Sequence, residues 1–214
     1  MSKNIEGDIY GMLEYMPINL FSNKLSVGII GGGRGAFIKA KTLQANGAKV
    51  EALSLEFINE FSELEIKCIK GSYDKKFILD KHLIIIAIND SAVINKIIED
   101  CNKQYKIYIN SSNVKKGMAA IPVKRESKSI SISVNTKLSN PKGAMMIADH
   151  LAEEINKYDI FIEYTSNIRN KLEIDKKLKL EILSFINTED FKYIFDKGKA
   201  DGVLKMFYPK IIFK

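Results

Sequence analysis

Tryptophan is absent from this chain, and cysteine, histidine and proline are scarce, at two, two and four among 214 residues. The two cysteines, Cys68 and Cys101, stand far apart in apolar surroundings. They read as reduced core thiols of a cytosolic protein, not as a disulfide staple or a metal knuckle. No apolar run reaches the roughly 18 residues that a membrane-spanning helix needs. The longest dense stretch, Leu83-Ile84-Ile85-Ile86-Ala87-Ile88, suits a buried strand instead. The N-terminus is polar and acidic (Asn4, Glu6, Asp8) and shows no apolar signal-peptide core, so a cytoplasmic location is expected. With 46% hydrophobic and 28% charged residues, the composition excludes collagen-like, mucin-like and wholly disordered chains.

Negative charge is in deficit. Thirty-three Lys and Arg face 26 Asp and Glu, a net +7. That surplus fits an anionic partner, either nucleic acid or a small molecule carrying several carboxylates or phosphates. It equally fits a solvated basic surface. No basic tract is interleaved with aromatics, so no motif supports nucleic acid and none is expected as a partner.

Apolar runs alternate with helical patterns through the first half of the chain. Strands are predicted at Leu25–Ile30, Lys49–Leu53, Ile66–Ile69, His82–Ile88 and Lys106–Ile109, with helices over 36–45 and 91–103. Continuous apolar strands separated by helices argue for a parallel sheet covered on both faces. After residue 113 come two short strand candidates, Ala119–Val123 and Ser129–Val134. Asn140-Pro141 then opens a helix to about 157, and three short helices fill 158–208. The expected fold is α/β: a Rossmann-type domain over 1–113, a small β segment over 114–150 and a helical C-terminal domain over 151–214.

Gly31-x-Gly33-x-x-Ala36 closes the first strand and opens the first helix. The first glycine permits a tight turn, and the second lets backbone approach a pyrophosphate. The small third residue lets helix and strand pack closely. Phosphates would then meet free N–H groups at the positive end of the helix. NAD is the expected cofactor, held by Gly31, Gly32, Gly33, Arg34, Gly35 and Ala36, with Ser54 and Leu55 at the end of the second strand. No acidic residue ends that strand, where one ordinarily binds the ribose hydroxyls: Glu51 comes early and Glu56 late. No arginine stands there for a 2′-phosphate either, and the balance favours NAD over NADP.

A longer series, Met16-Pro17-Ile18, Leu20-Phe21, Val27 to Ala36, Lys39-Ala40-Lys41, Gly47-Ala48 and Phe57-Ile58, resembles precorrin-2 dehydrogenase, the N-terminal module of siroheme synthase. Ala87-Ile88-Asn89-Asp90 with Asn95 resembles the family's Ala-x-Thr-Asp segment. Ile109-Asn110, Ile121-Pro122 and Asn140-Pro141 resemble its later landmarks. The resemblance implies NAD-dependent oxidation of precorrin-2 to sirohydrochlorin in siroheme or cobalamin synthesis, in some members with insertion of iron or cobalt. It implies a homodimer joined through the small β segment and the helix after it. It adds Asn89 and Asp90 to the cofactor site. The octacarboxylate substrate gives the basic surplus a partner, and Asn110, Lys115, Lys116, Lys124 and Thr136 become substrate-binding candidates. Arg125, Lys128, Lys137 and Lys142 belong to the same basic stretch.

One departure bears on mechanism. The family's Asn-Val-x-Asp turn, whose aspartate is assigned to catalysis, reads Asn110-Ser111-Ser112-Asn113 here. An asparagine amide takes no proton near neutral pH and binds divalent metal poorly. Asn113 therefore marks the catalytic position while leaving two alternatives. Either Asp90, Glu126, Asp149 or water serves as base, or the chain is a non-catalytic module that binds NAD or a tetrapyrrole. No metal ligands are assigned. His82 is expected in the core, as are Tyr158, Phe161 and Tyr164.

Overall fold

The computed structural model describes residues 14–209, so Asn4, Glu6 and Asp8 lie outside it. The chain divides between Ile121 and Pro122 into two compact units.

The first unit is built on five parallel strands: β1 (Ser26–Ile30), β2 (Lys49–Ser54), β3 (Lys67–Lys70), β4 (Leu83–Ile86) and β5 (Ile107–Asn110), in the order β3-β2-β1-β4-β5. Branched side chains on both faces of each central strand explain why the apolar runs are continuous. Helix α1 (Arg34–Ala45) brings Ala36, Phe37 and Ala40 to a core with Val27, Ile29, Phe61, Ile85 and Ile109. Helix α2 (Ser91–Lys103) brings Ile94, Ile97 and Cys101 to a second core with Ile30, Ile84, Ile86 and Tyr108. The chain runs outward through β1, β2 and β3, then returns to β4 on the other side of β1. That reversal opens a crevice beyond the carboxyl ends of β1 and β4, where α/β sheets bind ligands.

The second unit opens with a hairpin, β6 (Val123–Glu126) and β7 (Ser131–Val134), paired antiparallel with Val123 opposite Val134. Helix α3 (Pro141–Asn156) packs on it, burying Ala144 and Ala148, whose small side chains allow close approach. Asn140 caps α3 by accepting the Gly143 N–H at 2.9 Å. Four helices follow: α4 (Asp159–Lys171), α5 (Lys176–Ile186), α6 (Glu189–Asp196) and α7 (Ala200–Phe207). Phe161, Ile168, Ile182, Ile186, Phe191 and Leu204 form their shared core, with Tyr158 and Tyr164 half-buried against it.

Several expectations are corrected. Four C-terminal helices form instead of three, because Thr188 caps α6 through the Phe191 N–H and Gly198, at φ +68°, ends it. No strand covers 119–122: the Met118 and Ala119 N–H groups both donate to the Tyr108 carbonyl at 3.0 Å. Cys68 is exposed because β3 is an edge strand, whereas Cys101 is buried and burial pushes its thiol up to about 12. His82 is exposed, and its Nδ1 accepts the Ser26 N–H at 3.0 Å at the start of the sheet.

Asp159, in the first turn of α4, ties down the hairpin turn. Its carboxylate accepts the Ser127 hydroxyl and the Ser129 N–H at 2.7 Å, and the Lys128 N–H at 3.2 Å. The Ser127 hydrogen bond, helped by those N–H groups, holds its pKa below the usual carboxylate value. A depressed folded-state pKa stabilises above the unfolded value, and the contribution is lost as pH falls below about 4. Asp159→Ala should therefore speed amide exchange at Lys128 and Ser129 at neutral pH. The ratio of variant to wild-type exchange should fall toward one in acid; a ratio constant with pH would contradict this role.

Candidate functional site

The loop leaving β1 contains two kinds of glycine. At Gly31, φ is +133°, and an added Cβ would lie 2.3 Å from the Ala87 carbonyl oxygen. At Gly32 it would lie 2.0 Å from the Glu56 carbonyl oxygen and 2.8 Å from Ser54 Oγ. Both positions are closed by the protein's own backbone. A Cβ at Gly33 meets nothing within 4 Å. The fold itself does not require a glycine there, so the open side of the loop is the side a ligand would approach. The requirement at Gly32 comes from the loop after β2 and left no mark in the Gly-x-Gly spacing.

Gly33 is the N-cap of α1, with no side-chain cap and no acidic residue in the first turn. The first helical bond runs from the Phe37 N–H to the Gly33 carbonyl at 3.0 Å. The N–H groups of Arg34, Gly35 and Ala36 accordingly have no acceptor among the described residues. With the helix dipole behind them, they form a site for an anion of phosphate type. Ala36 is buried at the helix–strand contact, as the motif predicts. Arg34 points its guanidinium to Glu60 at 3.1 Å and lies over the Phe37 ring. This exposed pair contributes at most about 1 kcal/mol.

The neighbouring helix is built differently. Asp90 caps α2, accepting the Ala92 and Val93 N–H groups at 2.9 and 3.0 Å. Its carboxylate is committed to the helix, which leaves α1 as the open terminus of the two. Asn89, Leu55 and Asp90 are exposed and Ser54 is half-buried. Gly31 abuts Ala87 and Gly32 abuts Ser54 and Glu56, so the loops after β1, β2 and β4 meet at one edge of the sheet.

At the end of β5, Asn110 is 1% exposed. Its Oδ1 accepts from the Ser112 N–H, the Ser112 hydroxyl and the Asn113 N–H at 2.8–3.0 Å. That oxygen frames the turn. Asn113 itself is exposed, and its side chain caps nothing. Lys115 and Lys116 follow on an exposed helical turn, with no carboxylate within 4 Å among the described residues.

Lys124 and Thr136 stand in the second unit. Lys124 pairs with Glu126, Arg125 with Asp149 at 2.7 Å and Lys128 with Glu163 at 2.8 Å. Lys124, Arg125 and Lys128 are thus neutralised, the last two by carboxylates distant in the sequence. Thr136 Oγ1 accepts the Asn140 N–H at 2.6 Å. Among the described residues, no group of three or more His, Cys, Asp or Glu is disposed to hold a metal ion, and no helix is long and apolar enough to cross a membrane.

Comparison with known proteins follows this geometry. Residues 18–122 match a family model described as "Putative NAD(P)-binding". The precorrin-2 dehydrogenase of Bacillus subtilis (strain 168) is 26% identical over 145 residues, which span 66% of this chain and 89% of that protein. The solved structure of SirC, a precorrin-2 dehydrogenase, is alike in fold, with a TM-score of 0.70 at 20% identity. The match covers 90% of this chain and 100% of that one.

Proposed function

We propose that the chain is a precorrin-2 dehydrogenase that oxidises precorrin-2 to sirohydrochlorin with NAD, in the synthesis of siroheme or cobalamin; its likeness to proteins of that name and its match to an NAD(P)-binding family model support this. The observation that carries this reading is the uncapped N-terminus of α1. Three N–H groups without acceptors stand beside a glycine that the fold leaves open, at the point where the strand order reverses.

NAD, when bound, supplies the hydride acceptor. The Arg34, Gly35 and Ala36 N–H groups would hold its pyrophosphate, and the Ser54 hydroxyl, Asn89 and Asp90 would contribute to the same cofactor site. Asn113, with Lys115 and Lys116 beyond it, would meet the substrate. The lysines receive carboxylates of the tetrapyrrole by charge-assisted hydrogen bonds, each contributing roughly 1.5–3 kcal/mol where water is excluded.

Oxidation also releases a proton, and Asn113 accepts none near neutral pH. Asp90 is committed to its helix cap, and Glu126 and Asp149 are paired with Lys124 and Arg125. The proton therefore leaves to water, and Asn113 acts by orienting the substrate through its amide. Metal insertion is not part of this reading.

Dinucleotide binding falls to the unit that ends at Ile121, and in the second unit the hairpin with α3 is assigned to dimerisation and α4 to α7 form the helical part. α3 leaves Met145, Met146, Ile147 and Leu151 exposed while burying Ala144 and Ala148. That apolar face suits a second copy of the chain, making a homodimer.

The test is anaerobic incubation with enzymatically made precorrin-2 and NAD, following NADH absorbance and the sirohydrochlorin spectrum together. Coupled growth of both signals is expected. Asn113→Ala should then lower kcat by about tenfold or less, as suits an orienting amide and not a general base. No product from a preparation that binds NAD would transfer the assignment to the non-catalytic binding module that Asn113 favours.

A further inference from the structure

We propose that the dinucleotide site accepts NADP as well as NAD, with Ser54 and Lys70 as the residues that admit the 2′-phosphate. The inference rests on the dinucleotide reading of α1 and concerns the ribose end of the same site.

Sites that select NAD place a carboxylate at the end of the second strand. It holds the ribose 2′-hydroxyl and repels a phosphate there. Here β2 ends in Ser54, a half-buried residue with no charge. Its hydroxyl borders the phosphate cradle, since a Cβ built on Gly32 would lie 2.8 Å from Ser54 Oγ. That hydroxyl makes no hydrogen bond within the described residues, so it is free to serve a ligand oxygen.

Parallel pairing sets Lys70, the last residue of β3, opposite Ser54, and the Gly71 N–H donates to the Ser54 carbonyl at 2.9 Å. Lys70 is exposed and has no carboxylate within 4 Å among the described residues. Two acids lie in the following loop. Glu60 is engaged by Arg34 at 3.1 Å, and Glu56 is exposed two residues beyond Ser54. The residue that ends β2 is therefore neutral, and the strand beside it ends in a cation. A phosphate on the ribose gains the ammonium and loses nothing to a carboxylate on Ser54's position.

Dissociation constants of NAD and NADP, measured by calorimetry on the full chain at one ionic strength, test this. Wild-type constants are expected to agree within about tenfold. Ser54→Asp should raise the ratio of the NADP to the NAD dissociation constant by about 30-fold, whatever it does to NAD itself, and Lys70→Ala should weaken NADP alone by about fivefold. NADP binding more than about tenfold weaker than NAD in the wild type overturns the proposal, as does a ratio unmoved by both substitutions. A folded chain that binds neither nucleotide overturns the dinucleotide reading itself, and this inference with it.

Discussion

Gly33→Asp is expected to abolish NAD binding, by about 100-fold or more, without unfolding the protein. A Cβ at this position meets nothing within 4 Å and φ is −88°, so a side chain can leave the backbone there without strain. Its carboxylate would sit at the N-cap of α1, within reach of the same N–H groups that are held open for the pyrophosphate. Aspartate is a good N-cap, so the helix gains a few tenths of a kcal/mol as the ligand site is filled from within. Binding and stability should therefore move apart. Gly31→Ala and Gly32→Ala predict the reverse order of events, because their Cβ atoms would lie 2.3 and 2.0 Å from backbone carbonyl oxygens. Both should lose stability before any question of ligand arises. NAD titration beside urea unfolding of the three variants separates the cases. A Gly33→Asp protein that binds NAD like the wild type would remove the cradle assignment.

The largest stability effect is expected at Lys81, far from the ligand. Lys81 is 4% exposed and sits immediately before β4. Its ammonium reaches Glu51 at 3.1 Å and Asp80 at 2.6 Å, and lies over the Phe77 ring at 5.2 Å. Gly28 makes room for this arrangement, since a Cβ there would lie 2.9 Å from the Phe77 ring and 3.3 Å from the Lys81 stem. Lys81→Met keeps the stem but leaves Glu51 with only Lys67, at 3.8 Å. Removing one partner of a buried pair costs about 3–5 kcal/mol. Glu51→Gln should cost less, because Asp80 still faces the ammonium. The double variant Lys81→Met with Glu51→Leu should recover most of the loss, since an apolar pair carries no unpaired charge. Urea midpoints of the first unit's transition, compared at constant m, measure all three. A Lys81→Met midpoint equal to wild type would show that the ion pair contributes nothing to the sheet.

These two predictions divide along the same line as the legibility of the chain. Local signals were readable wherever a helix or strand is specified by its own residues. Helix α2 is read from the sequence at 91–103, the bounds it has in the fold, where Ile94, Ile97 and Cys101 share its buried face. Gly31, Gly33 and Ala36 were found because their spacing reflects one turn and one contact. The segment at 119–122 is apolar but forms no strand: the Ala119 N–H, like that of Met118 before it, donates to the Tyr108 carbonyl. Asp90 and Asn110 were taken for ligand-binding groups, and in the fold their oxygens hold a helix cap and a turn. Both residues have the chemistry of a site, and only the positions of nearby N–H groups show where that chemistry is spent.

By itself, the sequence determined the parallel α/β sheet, the glycine loop at the mouth of α1 and the helix opened by Asn140-Pro141. Each depends on residues within one or two turns of each other, where periodicity and capping act. Tertiary structure decided the rest. Gly32 is glycine because the loop after β2 crosses it, and Glu51 is paired because Lys81 arrives from a strand two places away. Ser54 gains a cation beside it because β3 stops in register at Lys70. Arg125 and Lys128 find carboxylates on α3 and α4. Such contacts join residues 16 to 35 or more positions apart, and only the packing of the sheet and helices brings them within a few ångströms.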